Sequence, residues 1–178
     1  MVTIEPLSPH FALQLKRVRL AALSDTPTAF SSTYGRESQR SNEDWLKLAS
    51  AWSGVQSVFY IAMDEGVPCG MIGGKFDEIA PRRAWVLSMW VAPAQRRTGL
   101  GARLMDEVER WALNLAICEL YLHVTSNNST AQNFYEKCGS RAPESLNRIK
   151  TTPLCSNMKW PKPFNLVDNF FSSVYFAL

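Results

Sequence analysis

Histidine is nearly absent: His10 and His123 are the only two in 178 residues, too few and too far apart for a histidine-based metal site. The four cysteines, Cys69, Cys118, Cys138 and Cys155, form no Cys-x-x-Cys pair and stand in no secretory context. They read as buried thiols of a reducing compartment. No apolar run reaches the roughly 18 residues that a membrane-spanning helix needs. The N-terminus has no basic segment leading into an apolar stretch, so no signal peptide is expected and the chain reads as cytoplasmic. One-sided charge is also missing. A net charge of +3, with the basic residues spread along the chain, favours an anionic ligand mildly and leaves no nucleic-acid footprint. Repeats, low-complexity tracts and linkers are absent too, and 46% hydrophobic with 20% charged residues suits one soluble globular domain with a real core.

What the chain does have is clear periodicity. Ser8-Pro9 is an N-cap followed by proline at the first helical position, and Phe11, Leu15, Val18 and Ala22 then recur at helical spacing, which predicts a helix over about 9–24. "SDTPTAFSSTYGRES" ends it as a polar loop. Ser41 and Asp44 form a capping-box pattern ahead of Trp45, Leu48, Ala49 and Trp52, a second amphipathic helix. "SVFYIAM" and "VPCGMIGGKF" flank Asp64-Glu65-Gly66 and predict a β-hairpin, and "RAWVLSMWV" is a third strand ending before Pro93. Leu100, Leu104, Val108, Trp111 and Leu115 share one helical face. In the strand "ELYLHV", Leu120, Leu122 and Val124 face one side while Tyr121 and His123 face the other. Asn128 is placed to cap a helix that stops at Gly139. Weaker strands, "RAPESLNRI" and "LCSNMKW", follow. The end of the chain, "FNLVDNFFSSVYFAL", puts Phe164, Val167, Phe171, Val174 and Leu178 on one helical face, to be docked on its own domain or on a second copy.

The most chemical stretch is "VAPAQRRTGLGARLM" at 91–105. A strand, a glycine-bearing turn and a helix expose the first N–H groups of that helix, which lack intrahelical acceptors and lie at the positive end of its dipole. Gly99 and Gly101 permit close approach of an anion, and Arg96, Arg97 and Arg103 supply cationic arms. Hydrogen bonds to charged groups contribute roughly 1.5–3 kcal/mol each, so three or four give about 5–12 kcal/mol gross. Association costs on the order of 4–15 kcal/mol. A phosphate seat alone therefore does not hold a ligand tightly; the ligand needs a second grip elsewhere. A P-loop requires Gly-Lys-Ser/Thr, which is missing. A dinucleotide fingerprint requires a third glycine where Leu104 stands, and an acidic residue at the end of the next strand, whereas Glu119 begins it. On the turn alone, a structural loop with surface arginines stays open.

Arg96-Arg97-Thr98-Gly99-Leu100-Gly101-Ala102 after Val91-Ala92-Pro93 resembles the Arg/Gln-x-x-Gly-x-Gly/Ala signature of the GNAT acyl-CoA N-acetyltransferases. "VTSNNSTAQNFYEKCG" resembles that family's second block, and "RLAALSDTPTAFSSTY" the first helix and acceptor loop of its bacterial members. The resemblance spans about residues 3–160. It implies an α/β (α+β) fold with a mixed, splayed central sheet and helices on both faces, and a domain over 1–160; the apolar extension over 161–178 lies outside the family pattern and is expected, from its helical periodicity, to pack on the same domain. It further implies acetyl-CoA as cosubstrate and no metal, in the cleft between the strands ending at Val91 and Val124. The backbone of Met89, Trp90 and Val91 would pair with the pantetheine arm, which is the second grip. The segment Arg96, Arg97, Thr98, Gly99, Leu100, Gly101 and Ala102 would hold the pyrophosphate, Asn128 would contact the cosubstrate near its pantetheine arm, and Tyr135 would face the thioester sulfur as general acid. A phenol of pKa roughly 10 protonates a thiolate of roughly 8.5 at a cost near 2 kcal/mol. The other reading of Tyr135 is simple packing beside Phe134.

Two features depart from the family pattern. Several relatives place a glutamate base on the strand before the glycine turn, but here that strand is Trp85-Val86-Leu87-Ser88-Met89-Trp90 and has no carboxylate. An alkylamine is neutral in only about one molecule in 2,500 at pH 7, so some group must take its proton. Ser88 and His123 are candidates to relay it through water, and Glu37 and Glu78 are candidates from loops; His123 is equally readable as an inert strand residue. Ser140 stands where relatives commonly carry phenylalanine. The expected activity is direct acetyl transfer to a primary amine in a small molecule or a protein, without a covalent intermediate, with Tyr34, Trp45, Trp52 and the loop 77–83 shaping the acceptor pocket. The alternative is a non-catalytic acyl-CoA-binding or regulatory module of the same fold.

Overall fold

The first ordered element is β1 (Thr3–Pro6), a four-residue strand ending in proline. It carries no periodicity of its own, and only pairing with a later strand reveals it. Ser8 then takes an extended N-cap backbone with Pro9 at the first helical position, and a 3₁₀ turn over Pro9–Phe11 leads into α1 (Ala12–Asp25), which buries Leu15, Val18, Arg19, Ala22 and Leu23. The computed structural model describes residues 1–80, 82–125 and 128–138 in full, with the backbone of 148–150. The expected polar loop after α1 is more structured than its composition suggests. It holds a 3₁₀ turn over Pro27–Ala29 and a short α2 (Tyr34–Ser38), and it buries Ser32 and Glu37 completely or nearly so. The capping box forms as expected: Ser41 and Asp44 exchange side-chain and backbone hydrogen bonds at the start of α3 (Asn42–Ala51).

β2 (Ser57–Asp64) and β3 (Val67–Phe76) form the hairpin, whose two linking residues, Glu65 and Gly66, both take positive φ (49° and 81°), the two-residue turn that matches strand twist. β4 (Arg83–Val91), α4 (Leu100–Asn114), β5 (Glu119–His123) and α5 (Ser129–Lys137) follow, then three residues of β6 (Arg148–Lys150). The six strands lie in chain order, with every neighbouring pair antiparallel except β4 and β5. That parallel pair is short. Only Arg83, Ala84 and Trp85 face partners on β5, namely Glu119, Leu120 and Tyr121.

Beyond Trp85 the strands separate, and the cause is visible in the register. Met71 faces Trp90 and Gly73 faces Leu87, so Ser88 and Met89 together oppose Ile72 alone. Ser88 takes φ 55° to make this bulge, which bends β4 and increases its twist. Each face of the sheet then carries its own core. On one side Leu104, Met105 and Val108 of α4 and Tyr135 of α5 pack on Ile72, Val86, Leu120 and Leu122. On the other, α1 and α3 bring Leu15, Val18, Trp45 and Leu48 against Phe59, Ile61, Met71 and Trp90. The mixed, splayed α/β architecture is the expected one.

The uniform reading of the cysteines as buried thiols needs two corrections: Cys69 is a buried free thiol, but Cys138 is free and only partly buried, and Cys118 is disulfide-bonded. Its spacing carries no hint of this, because a disulfide depends on Cα proximity rather than on sequence separation. The helix stop at Gly139, most of the weaker strands and the apolar tail over 161–178 lie outside the described residues.

Candidate functional site

The bulge leaves one edge of β4 unpaired from Val86 to Val91, and the arginine–glycine turn closes the end of that opening. Ala92 N–H anchors the strand end to the Cys69 carbonyl at 2.8 Å, a 3₁₀ turn follows over Pro93–Gln95, and Thr98 Oγ1 donates to the Gln95 carbonyl at 2.7 Å. Arg97 (φ 65°) and Gly99 (φ 87°) then turn the chain into α4, with Gly99 as its left-handed N-cap. The main-chain amides from Arg97 to Ala102 have no acceptor among the described residues; the first amide of the helix region to find one is Arg103, which donates to the Gly99 carbonyl at 3.2 Å. Six unclaimed N–H groups thus sit at the positive end of a 15-residue helix.

The two glycines do different work. A Cβ at Gly99 would meet nothing within 4 Å, so this position is open to an incoming ligand. A Cβ at Gly101 would come within 3.1 Å of Phe134 and 3.4 Å of Met89, so Gly101 serves close packing of α4 against α5 and β4 instead of anion approach. The arginines also differ from the expected set of free arms. Arg96 donates from Nε to the Val91 carbonyl at 3.0 Å and from its terminal nitrogen to Asp25, which also accepts Trp90 Nε1 at 2.9 Å. Arg103 donates to the Val2 carbonyl at 2.9 Å. Arg97 alone is exposed with no side-chain bond among the described residues. Arg96 and Arg103 are therefore loop and strand fasteners, a role that sequence spacing hides because their partners lie 71 and 101 residues away.

Across the opening, Asn128 caps α5 as expected, accepting from the Ala131 amide at 3.0 Å through Oδ1, which leaves Nδ2 as its remaining donor. Tyr135 is 6% exposed and packs edge-on against Phe134 with ring centroids 5.1 Å apart. Burial pushes its phenol well above the usual tyrosine range, with the neighbouring Cys138 adding to the rise. Tyr135 thus packs in the core beside Phe134, and Phe134 in turn touches the Gly101 position at the mouth of the turn.

The base candidates separate by geometry. Glu37 is fully buried with Ser32 Oγ donating to one oxygen at 2.7 Å and Arg40 to the other. Glu78 is a surface partner of Lys75 at 2.9 Å. His123 is exposed and stacked on Trp85, with centroids 4.9 Å apart and planes 4° from parallel. Ser88 lies in the bulge and lines a small cavity with Leu15, Arg19, Trp45, Leu48, Trp52 and Phe59. Tyr34 is half exposed, while Trp45 and Trp52 are core residues that form the wall of this cavity. Arg19 and Asp25 are absent from the sequence-based site. The available signal was positional: Arg19 sits among Leu15, Val18 and Ala22 on the buried stripe of α1.

Comparison with known proteins places this geometry. Residues 20–140 match the family described as Acetyltransferase (GNAT) family. Among curated proteins the chain is similar to GCN5-related N-acetyltransferase 7, chloroplastic, of Arabidopsis thaliana, at 37% identity over 57 residues, 32% of this chain and 21% of that protein. It is also similar to the N-terminal acetyltransferase complex ARD1 subunit homolog of Dictyostelium discoideum, at 31% identity over 88 residues, 46% of this chain and 41% of that protein. The similarity thus spans less than half the length of either relative. Among solved structures, the PaiA N-acetyltransferase of Thermoplasma acidophilum in complex with coenzyme A shares the fold, with TM-score 0.69 and 21% identity over 85% of this chain and 99% of that one.

Proposed function

Because the chain belongs to the GNAT acetyltransferase family, we propose that it transfers acetyl from acetyl-CoA directly to a primary amine within a ternary complex. The observation that carries this reading is the run of six unclaimed amides from Arg97 to Ala102 at the mouth of the splayed β4–β5 pair. Such amides at a helix start point at one place and carry the positive end of its dipole, and a pyrophosphate has enough oxygens to accept from them in place of water. Arg97 adds a free cation beside them. The unpaired edge of β4 at Met89, Trp90 and Val91 suits an extended amide chain such as pantetheine, which adds main-chain hydrogen bonds as a strand would. Together these provide the two grips that the binding energetics require. Asn128 Nδ2 is the donor on the opposite wall.

In the chemical step the amine lone pair attacks the thioester carbonyl, the C–S bond breaks, and the departing thiolate takes the Tyr135 proton. The raised pKa of Tyr135 keeps it protonated before the reaction. Desolvation in the same cleft raises the thiol as well, so burial shifts donor and acceptor in the same direction. The amine proton leaves through water, with Ser88 in the bulge and His123 on Trp85 as the relay candidates, and a proton returned from solvent restores the Tyr135 phenol for the next turnover.

Two measurements test the reading. Thermal unfolding with acetyl-CoA is expected to rise, by the equivalent of about 2.7 kcal/mol at a hundred times Kd, and to stay unchanged with NAD. Thiol release is then followed across a panel of amines. Stabilisation by acetyl-CoA with no thiol release from any amine would convert the protein into a non-catalytic acyl-CoA-binding module, and no stabilisation at all would remove the cosubstrate assignment.

A further inference from the structure

An open groove of about 340 Å³ lies between the end of α4 and the start of β2, lined by Val55, Tyr60, Arg110, Trp111 and Leu115. Tyr60, Trp111 and Leu115 are the partly buried fringe of the core beneath α4, and Trp111 packs on Phe76 with ring centroids 5.6 Å apart. Val55 stands on the rim at 74% exposure. No buried side-chain nitrogen or oxygen of these residues is left without a partner, and Arg110 is already engaged by Glu107. The groove therefore has little with which to orient a small polar ligand. It is an apolar seat that needs a cover.

The cover is indicated by the disulfide and by strand register. Cys118 is disulfide-bonded while Cys69 and Cys138 are free, so of the four cysteines only Cys155, outside the described residues, is left to join it within the chain. Arg148, Ile149 and Lys150 of β6 stand opposite His123, Leu122 and Tyr121, so β6 runs toward the start of β5. Continuing that count brings position 153 level with Cys118 and Cys155 two places on, near the Cα separation of about 4–7 Å that a disulfide needs. Such a bond pins the chain three residues from Leu115, on the wall of the groove. From Cys155 to Phe164 an extended chain reaches about 30 Å, enough to pass beneath α4, whose width is about 10 Å. The segment that arrives is the apolar one. Phe164, Val167, Phe171, Val174 and Leu178 share a helical face, and Asp168 falls at its border as a partner for the Arg110 side chain, which is 62% exposed on the rim.

We propose that segment 164–178 docks by this face into the groove of its own chain, tethered by a Cys118–Cys155 disulfide. The tether favours this segment over a second copy, because a short linker supplies an effective concentration in the millimolar range. The seat lies at the N-terminal ends of β2 and β5, whereas the free amides follow the C-terminal end of β4. The docked segment thus covers the core and leaves the acetyl-CoA opening clear.

Deuterium exchange of the full chain, read by mass spectrometry, tests the docking without reference to acetyl transfer. Amides over 164–178 are expected to exchange at least about tenfold more slowly in the wild type than in Val55→Asp, which charges the exposed rim and leaves the core intact. Reciprocally, Phe171→Asp should speed exchange over 108–116, the wall of the groove, by about threefold or more. A peptide map under non-reducing conditions should join Cys118 to Cys155 within one chain. Tail amides that exchange as fast as an unstructured peptide, or equally slowly in wild type and Val55→Asp, overturn the proposal. Protection that grows with protein concentration, together with a two-chain mass in light scattering, makes a second copy the occupant and overturns it as well. Cys118 found free, or joined to another chain, removes the tether on which the choice of occupant rests and has the same effect.

Discussion

Asp25 ties three elements together and offers the sharpest structural test. It ends α1, accepts the Trp90 indole of β4 at 2.9 Å and pairs with Arg96 of the turn. Trp90 is 7% exposed, so Asp25→Ala strands a nearly buried N–H, at a cost of about 1–3 kcal/mol. The Arg96–Asp25 pair is partly exposed, 42% and 25% on the two side chains, and contributes only about 0–1 kcal/mol. The sum centres near 2 kcal/mol. For a chain of this size that lowers Tm by about 4–8 °C. Asp25→Asn keeps an acceptor for the indole and loses only the charge pairing, so its Tm falls by no more than about 2–4 °C. Both variants free Arg96 from α1, and coenzyme A affinity by calorimetry should weaken by up to about fivefold, the equivalent of one lost ion pair. Circular dichroism melts of the two variants check the ledger. A loss under about 2 °C for Asp25→Ala would show that the indole bond anchors nothing, and equal losses would assign the effect to charge instead.

Tyr135→Phe should lower kcat by roughly 10²–10⁴-fold if the phenol is the general acid, with coenzyme A affinity held within about twofold; unchanged turnover removes Tyr135 from the mechanism. The same residue makes a pH prediction. Its folded pKa lies above the unfolded value near 10, so above that pH the unfolded state loses a proton that the native state retains, and stability falls as pH rises. Urea melts between pH 9 and 12 should therefore show a steeper decline for the wild type than for Tyr135→Phe, and parallel curves would contradict the burial of an ionisable phenol. Gly99→Ala places a side chain in open space but at φ 87°, so its strain of roughly 1–2 kcal/mol is purely backbone and falls on the turn; Kd for coenzyme A should rise about five- to thirtyfold, and an unaltered Kd would show that the turn tolerates alanine.

Much of the fold can be read locally. The Ser41–Asp44 capping box, the Glu65-Gly66 turn, the apolar face of α4 and the Asn128 cap all depend on residues within a few positions of one another, and all form as their chemistry requires. The arginine–glycine turn is legible for the same reason: free amides at a helix start are a local property of backbone geometry. β1 is the counterexample among the elements, since four residues ending in proline become a strand only when Ile4 finds Ala62.

The order of periodic segments, the turn chemistry and the run of free amides ahead of α4 were determined by the sequence alone, because each arises from neighbouring residues whose φ/ψ choices and hydrogen bonds close within one or two turns. Which arginines remain free was decided only in three dimensions. Arg96 found Asp25, Arg103 found the Val2 carbonyl, and Arg19 was carried by its own helix against Phe30 with no hydrogen-bond partner among the described residues. A side chain's partner depends on which distant segments the sheet brings together, and the β4 bulge that splays that sheet is itself set by register between strands, a quantity that no single segment contains.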